Sequence, residues 1–492
     1  MTPDDIARSA TPAEHRLAGL ALNPAAPDDI LLRLLAGESA AVRMVLCRDR
    51  ALPDAVVDAV VAHPDTYTRS FLARSPHAEP EQRARLVDAP EWFVRAHLTD
   101  GPVPDEDGCP ARPLPDRTVV RIIETYDAEL LGTGLLRQMS SAFRRTMATH
   151  PVAGVRKMGV LLHWHSLGPR ARAALLADPE PGVREAATSS HGLHARRRNP
   201  DAVREDLPDH PCHARSSLLM YGALAPDVVA AALETDGAWA VAGNTSTPAE
   251  YVAVLAGHAD PKVRIRVAER PDLAPALRRA LAVDPDPGVR LALSVHPALT
   301  EAERAAIDYE VPEHEDCGHC WLPDADPDPE QLRRDARSGH PCLRRRAARD
   351  PGLPADLVAE LADDPDLGVR VLLSQNHPDA PAALLLRSFL EYTGPHRWHL
   401  TRRPGFPRTG LARFADDEEP AVRRLAPLDP RLAPETADRL TRDPDPLVRA
   451  DAARHPRLPV ARLTALLDDA ELAPQAAANP SLPLATMKAL VP

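Results

Sequence analysis

The chain of 492 residues has few aromatic residues, lysines and cysteines. Aromatic residues make up only 3% of the sequence, which is little for a protein built around one large globular core. Only three lysines occur, at positions 157, 262 and 488, so arginine carries almost all of the positive charge. Six cysteines in a chain of this length do not predict a disulfide framework. No run of about 18 apolar residues occurs, so no membrane-spanning helix is predicted.

The formal net charge is −12 at pH 7, which does not favour sequence-independent DNA binding but leaves room for a local basic stripe. The first residues lack the charged segment and following apolar segment of a secretory signal peptide. The low cysteine content is also typical of a reducing compartment. These features predict a cytoplasmic protein.

What the sequence does have is a repeated unit, clearest in residues 443–459, DPDPLVRADAARHPRLP. Asp443 and Asp445 can cap a helix whose first turn tolerates proline. Apolar residues then recur at helical spacing, and His455-Pro456 predicts the helix end, because the residue before proline is disfavoured in the α region. A second, leucine-rich helix is predicted over 460–467.

The arginine of the Val-Arg pair gives the period. The separation is 26 residues from Arg264 to Arg290, from Arg344 to Arg370, from Arg397 to Arg423 and from Arg423 to Arg449, and 27 from Arg16 to Arg43. A short period over most of a chain is typical of a solenoid, in which each unit needs neighbours to bury its apolar faces. The sequence therefore predicts an all-α protein, an α-solenoid of helix pairs that repeat about every 26 residues.

Two segments interrupt the pattern and divide the chain. We predict an N-terminal repeat array over 1–100 and a Pro/Gly/Asp-rich loop over 101–117, then a central array over 118–310. An insertion that contains a Cys-x-x-Cys motif follows over 311–342, and a C-terminal array over 343–492. The last unit, near Asn479-Pro480, lacks the Val-Arg pair and is predicted to be a terminal cap.

One arginine per unit suggests two interpretations. Each arginine could meet a phosphate of a nucleic acid, or it could pair with an aspartate of its own or the neighbouring unit. We favour the second, an Asp–Arg ladder along the stack, because the planar guanidinium satisfies a carboxylate bidentately.

The constellation that could carry chemistry is His314, Cys317, Cys320, His340 and Cys342. Cys317 and Cys320 could present two thiolates to one ion from a tight turn, and His340 or Cys342 could complete a tetrahedral zinc site.

Three other interpretations stay open for this cluster. Reduced thiols in an exposed loop would bind nothing. An iron–sulfur cluster normally takes four cysteines, of which only three are near, and a dithiol redox motif needs a βαβ context that this sequence lacks. His210-Pro211-Cys212 repeats the tripeptide of His340-Pro341-Cys342, which weakens its value as a ligand pair.

The unit Asp-Pro-x-x-x-Val-Arg, then Ala-Ala-x-x-Pro-x-Leu-Pro and a leucine-rich helix, resembles the leucine-rich repeat variant family and is similar to bacterial HEAT-like repeats. The resemblance covers most of residues 10–490 and is best in 443–467 and 284–297. It implies pairs of one α-helix and one short α- or 3₁₀ helix stacked in a right-handed superhelix. That family includes a member whose N-terminal cysteines bind an iron–sulfur cluster, whereas here the Cys-x-x-Cys is internal. Related HEAT-like proteins excise alkylated DNA bases.

No nucleophile–base pair, phosphate loop or carboxylate pair is recognisable in the sequence. We therefore expect a non-enzymatic scaffold that binds a protein or peptide partner on its curved face. The alternatives are a nucleic-acid-binding or repair-like protein, with Arg196–Arg198, Arg344–Arg346 and Arg402-Arg403 along one face, and a metal-binding accessory protein with zinc or, as the weaker option, an iron–sulfur cluster. No membrane partner is expected.

Overall fold

The computed structural model of the chain describes residues 10–102, 112–126, 131–312 and 328–491. Within these ranges every regular element is a helix and no strand occurs, which confirms the all-α prediction. The chain forms two compact units, one of residues 1–162 together with 407–492 and the other of residues 163–406. The first unit thus joins the two ends of the chain.

The α-helices of the first unit are α1 Pro12–Ala21, α2 Asp28–Ala36, α3 Ala40–Arg48, α4 Asp54–Val61, α5 Thr66–Ala73, α6 Pro80–Ala84, α7 Trp92–Asp100, α8 Asp116–Thr125, α9 Thr133–Arg137, α10 Ser141–Thr146 and α11 Ala153–His163, which ends at the unit boundary, then α28 Pro420–Arg423, α29 Pro434–Leu440, α30 Pro446–Ala453, α31 Val460–Leu466, α32 Ala473–Ala477 and α33 Leu484–Leu490. Short 3₁₀ helices lie at Met147–Thr149, Leu411–Phe414 and Ala426–Leu428.

The α-helices of the second unit are α12 Pro169–Leu176, α13 Pro181–Arg197, α14 Pro200–Asp206, α15 His213–Tyr221, α16 Pro226–Leu233, α17 Ala238–Ala242, α18 Ala249–Ala256, α19 Pro261–Ala268, α20 Pro275–Leu281, α21 Pro287–Ser294, α22 Glu301–Ala305, α23 Pro329–Ala336, α24 Pro341–Ala348, α25 Ala355–Ala362, α26 Leu367–Asn376 and α27 Ala382–Glu391. Its 3₁₀ helices lie at Trp164–Ser166 and Arg397–Arg402.

The two aspartates of the Asp-Pro-Asp-Pro motif have different tasks. Asp445 is the N-cap of α30 and accepts hydrogen bonds from the backbone N–H groups of Leu447 and Val448, at 2.9 and 3.1 Å. Asp443 precedes the helix and instead receives the guanidinium of Arg423. Proline at the start of the helix costs no hydrogen bond, because the first N–H groups of a helix have no partner within it.

Each repeat therefore has a first helix, which begins at Asp-Pro or an equivalent, and a second helix, which begins after the next proline. The first helices pack in series, as α1, α3, α5 and α7 do in the first unit and α15, α17, α19 and α21 in the second. We call the layer they build the first-helix layer. Buried leucine, valine and alanine fill the space between the layers, so small apolar side chains replace the aromatic core that the sequence lacks.

The two ends of the chain meet as neighbouring repeats of the first unit. Helix α1 packs on α32, and Asn23 Nδ2 donates to the carbonyl oxygens of Ala477 and Asn479 at 2.9 and 2.6 Å. Asn479 Nδ2 makes the same two bonds one repeat earlier, to Ala453 and His455 at 2.8 and 2.9 Å. A methyl group added to Gly19 would lie 2.0 Å from the carbonyl oxygen of Pro474, so only glycine permits this approach. The end-to-end joint thus has the hydrogen-bond pattern of an internal joint.

Several predicted boundaries need correction. The last unit, expected to be a terminal cap, has the first repeat packed against it. The predicted insertion 311–342 is narrower, because α23 occupies 329–336 and α24 begins at Pro341 as an ordinary first helix. Helix α8 likewise begins at Asp116, inside the predicted loop 101–117.

Among the described residues, no helix combines the length and the apolar character that crossing a bilayer requires.

Candidate binding surfaces and the predicted metal site

The Val-Arg arginines form the predicted ladder, and their partners lie in the neighbouring repeat. The Nε and Nη2 atoms of Arg264 each donate to one carboxylate oxygen of Asp284 at 2.8 Å. Its Nη1 donates to the carbonyl oxygens of His258 and Ala259, which precede its own helix, at 2.7 and 3.2 Å. One side chain therefore ties a helix start to the next repeat.

The same arrangement recurs along both units. The bidentate pairs are Arg344 with Asp364 and Arg423 with Asp443, and Arg43 contacts Asp65 and Thr68. Burial alone would raise the pKa of Asp284, but hydrogen bonds from Arg264 and from the N–H of Asp286 outweigh burial and lower it. The Asp–Arg ladder is therefore confirmed for these repeats. In others the partner is a glutamate, as for Arg370 and Arg449, or a backbone carbonyl group of the same repeat, as for Arg95 and Arg184.

Arg16, counted in the series from its spacing, is not a member of the ladder. Thr11 caps α1, so the position four residues later, where Arg264 stands relative to Asp260, is held by His15. Arg16 donates instead to the carbonyl oxygen of Leu467 in the C-terminal repeats, at 3.1 Å. The helix caps Thr11 and Ser39 are 28 residues apart, so the first repeat is longer than the 26-residue period and the interval of 27 from Arg16 to Arg43 does not join equivalent positions.

A second ladder consists of polar residues that stand just before proline, between the two helices of a repeat. His296 Nε2 lies 2.8 Å from the carbonyl oxygen of Arg270, and His455 Nε2 lies 3.0 Å from that of Asp429. Burial lowers the pKa of both histidines, so they are neutral at pH 7. These histidines are joints between repeats, and a catalytic role has no support from their contacts.

The basic face proposed for nucleic-acid binding is largely neutralised within the second unit. Arg344 and Arg345 donate to Asp364 and Asp366, and Arg346 donates to Asp335. Arg345 is only 1% exposed, so it cannot reach a phosphate. Arg196 is engaged by Asp206 and Glu205, and Arg403 donates to the carbonyl oxygen of His377. The sequence showed these arginine runs but not the carboxylates and the carbonyl group that helix packing brings to them.

The predicted metal ligands divide into two groups. His314, Cys317 and Cys320 lie outside the described residues. His340 and Cys342 are fully buried at the start of α24. Across 10–102, 112–126, 131–312 and 328–491, no three histidine, cysteine or acidic side chains converge as ligands of one ion.

His340 is a helix cap in the structure. Its Nδ1 accepts the N–H of Cys342 at 3.1 Å, and its Nε2 lies 2.7 Å from Ser294 Oγ, which donates to the carbonyl oxygen of Leu291. Ser294 therefore accepts from His340, so the Nε2–H tautomer fits both contacts. The ring also stacks on Tyr309, at 4.2 Å between centroids. A metal would have to displace one of these two hydrogen bonds, and the zinc interpretation stays a prediction.

Aromatic side chains that the sequence pattern did not single out form a surface patch on the first-helix layer. Tyr67 of α5 and Phe93 of α7 meet edge to face at 5.3 Å, and Phe93 packs on His97 at 4.1 Å. Trp92 and Tyr67 remain 51% and 43% exposed. We call Tyr67, Trp92, Phe93 and His97 the aromatic patch. Sequence reasoning could have noted Trp92-Phe93, but only the packing of α5 on α7 brings Tyr67 to them.

The aromatic patch carries no charge at neutral pH. Burial lowers the pKa of His97 to about 4, with the nearby Arg74 acting in the same direction and Asp100 opposing it. Neutral, half-exposed aromatic rings are unusual on a surface where charged side chains would otherwise solvate the helix.

Two clefts lie in the first unit. One, of about 320 Å³, lies between α1 and the residues before α32 and is lined by Arg16, Asp468 and Asp469. The other, of about 340 Å³, lies between α6 and α8, where Arg117 pairs with Glu81 and Arg121 with Asp88. Their charges are mostly matched internally, so neither identifies a ligand.

No protein-family model matches the chain, and no curated protein matches it either. Among solved structures, an engineered protein from the Northeast Structural Genomics Consortium aligns with 14% identity over 94% of this chain and 99% of that chain, with a TM-score of 0.11. A TM-score of that size supports no inference about fold or function.

Proposed function

We propose that this protein is a non-enzymatic helical-repeat scaffold that binds a protein or peptide partner, and we assign the partner to its first-helix layer. The observation that carries the proposal is the aromatic patch. Exposed tryptophan and tyrosine dominate the binding energy of protein interfaces, because they bury much area at a small cost in side-chain entropy. In a chain with 3% aromatic residues, four ring-bearing side chains at one surface are a notable concentration.

The first-helix layer suits this role because it is rigid. Its helices are fixed at their starts by the arginine ladder and between helices by the histidine and asparagine ladder. A preorganised surface loses little conformational entropy on binding, which leaves more of the contact energy as affinity. The repeat motif also supports a place among leucine-rich repeat variant and HEAT-like proteins, and the cysteine usage supports a cytoplasmic location.

The proposal is tested by affinity capture from extract of the source cells, followed by mass spectrometry. The full chain is compared with a Tyr67→Ala/Trp92→Ala variant and with a Val460→Ala/Leu484→Ala control, which removes two exposed apolar side chains from second helices. We expect a protein retained in stoichiometric amount by the parent and the control and lost from the patch variant. Equal retention by all three, or a reproducible catalytic turnover without a bound partner, would contradict the proposal.

Metal binding is kept as a second candidate because Cys317-x-x-Cys320 lies near His340 in sequence. Elemental analysis of protein purified without chelator tests it. A zinc site predicts about one zinc per chain, lost in Cys317→Ser, whereas iron with acid-labile sulfide would indicate a cluster instead.

A further inference from the structure

A group of histidines and arginines in the second unit is not part of either ladder. It comprises side chains from the 3₁₀ helix at Trp164–Ser166, from α12, and from the C-terminal half and end of α13: His165, Arg172, His191, His194 and Arg198. We call these five residues the histidine–arginine cluster. His165, His191 and Arg198 are exposed, and the other two are partly buried.

The cluster is organised around Trp164. Arg172 Nε donates to the carbonyl oxygen of Trp164 at 3.0 Å and Nη2 to that of His165 at 2.8 Å, so both nitrogens are fixed by backbone. The guanidinium of Arg172 lies 5.8 Å from the centre of the Trp164 ring, and the ring of His191 lies 6.1 Å from it. Arg198 Nη1 lies 3.4 Å from His194 Nε2. Trp164 thus holds Arg172 and His191 on one side of α13.

Within the part of the chain that the structure describes, no carboxylate forms an ion pair with the cluster. Residues 186–198 contain no aspartate or glutamate. The acidic residues of the following helix are already engaged, since Asp206 and Glu205 accept from Arg196 and Asp201 accepts from Arg204. Partial burial and the positive charges of Arg172 and Arg198 lower the pKa of His194, and His191 and His165 act in the same direction. The neighbouring arginines and histidines thus act on His194 in the same direction.

The cluster also contains an unmet donor. Trp164 is 5% exposed, and its Nε1 has no hydrogen-bond acceptor among the described residues. A buried indole N–H usually has an acceptor, because leaving it unpaired costs free energy. The negative end of the α13 dipole favours cations at His194 and Arg198, but this effect is small and does not explain His165 in the 3₁₀ helix.

The shape of the cluster decides between a polymer and a small anion. A nucleic-acid backbone needs a line of unpaired cations, and another arginine run of this unit, Arg344–Arg346, is engaged in internal ion pairs. What remains is one compact group in which two guanidinium groups are supplemented by imidazoles that can take up protons when an anion arrives. Such a group matches a doubly charged phosphate.

We propose that the histidine–arginine cluster is a binding site for a single terminal phosphate group, in the form of a phosphate dianion or a phosphomonoester. Arg172 and Arg198 supply fixed positive charge, and His165, His191 and His194 supply imidazole N–H donors. The proposal is independent of the aromatic patch, which lies in the other unit.

The test is a titration of the full chain, carrying ¹⁵N-labelled histidine, with sodium phosphate at constant ionic strength maintained with sodium chloride. We expect saturable shifts of the imidazole signals of His191 and His194, assigned with single His→Gln variants. In His194→Gln/Arg198→Gln the shifts of His191 should require at least about tenfold more phosphate, which corresponds to roughly 1.4 kcal/mol. The control Arg279→Gln, which removes an exposed arginine from α20, should titrate like the parent.

Two further ligands separate the sources of phosphate. Phosphoserine should bind as inorganic phosphate does, whereas an oligothymidylate without terminal phosphate should bind more weakly. The proposal is wrong if the histidine signals do not saturate with phosphate, if the double variant titrates like the parent, or if the oligothymidylate binds more tightly than phosphate with a steep dependence on salt. Circular dichroism of the variants shows whether each remains folded, which is expected because the substituted side chains lie at the surface.

Discussion

Arginines in the regular repeats and arginines at the end of α13 have different surroundings. Arg264 is 9% exposed and shares two hydrogen bonds with Asp284, whereas Arg198 is exposed and has histidine as its neighbour. Both lie on first-helix segments, but Arg264 stands in the first turn of α19 and Arg198 follows the last turn of α13. The difference is the carboxylate, which in the regular repeats comes from the next repeat 20 residues later. Paired arginines hold the stack together, and the unpaired ones remain available for an anion.

The largest expected effect is on stability and comes from breaking a paired arginine. Arg264→Ala leaves the buried Asp284 without its partner and removes the donor to the carbonyl oxygens of His258 and Ala259. We therefore expect a loss of about 3 kcal/mol in the free energy of unfolding. Urea unfolding followed by circular dichroism measures it. The matched control is Arg333→Ala, which breaks an exposed pair with Asp356 and should cost below about 1 kcal/mol. Equal losses in the two variants would remove the distinction between structural and surface arginines.

The next effect tests whether the joint between the chain ends contributes as much stability as a joint between two internal repeats. Asn23→Leu leaves the carbonyl oxygens of Ala477 and Asn479 without a donor, and Asn479→Leu does the same to Ala453 and His455. We expect both variants to lose about 1–3 kcal/mol, since each leaves two buried acceptors unpaired. Hydrogen exchange of the C-terminal helices gives a second readout. If Asn479→Leu lowered the free energy of unfolding and Asn23→Leu did not, the ends of the chain would not meet in solution.

Acidification should weaken the joints in a defined order. His296 and His455 have pKa values lowered by burial, so on acidification the unfolded chain takes up protons near the ordinary histidine value while the folded chain does not. Stability is therefore fully present above about pH 6.5 and falls as the pH drops toward the lowered values. The aspartates of the ladder, whose pKa values are also lowered, add a second loss below about pH 4.

Urea midpoints between pH 7.5 and 3 measure both losses. His455→Asn introduces the residue type that the next repeat has at the corresponding position, Asn479. It should reduce the loss of stability caused by histidine protonation and leave the loss caused by aspartate protonation unchanged. A pH dependence identical to that of the parent would show that His455 is not part of the joint.

The smallest effect on stability belongs to the unpaired cations. Arg198→Gln and His194→Gln remove side chains at the surface that hold no repeat in place, so we expect changes within about 0.5 kcal/mol. The same urea experiment checks this, and a loss as large as that of Arg264→Ala would place these residues in the structural ladder after all.

The periodicity of the sequence was enough to predict the helix pairs, because helix starts and stops are local. Aspartate caps the first turn, proline fits there at no cost, and the residue before proline is disfavoured in a helix. The helix predicted at 460–467 is observed at Val460–Leu466. The arginine ladder could be predicted for the same reason, since a repeat of known period places each arginine near the next aspartate.

His-Pro shows where local reasoning stops. His455-Pro456 follows helix α30, whereas His340-Pro341 opens helix α24. Both histidines lie outside the helix, as the proline that follows them requires. The dipeptide is compatible with both positions. The sequence pattern suggested a metal ligand at His340. Its contacts with Cys342 and Ser294 are visible only in the folded chain, because Ser294 is distant in sequence.

The amino-acid sequence by itself determined the helices, their pairing and the ladder that joins each repeat to the next, because these depend on neighbours at most one period away. The tertiary structure alone decided that Asn23 meets Asn479, that Tyr67 meets Phe93, and that Arg345 is buried while Arg198 is not. These contacts depend on which distant or adjacent helices pack side by side. Burial and pairing of a side chain are properties of that packing, so the residues available for binding become visible only when the stack is complete.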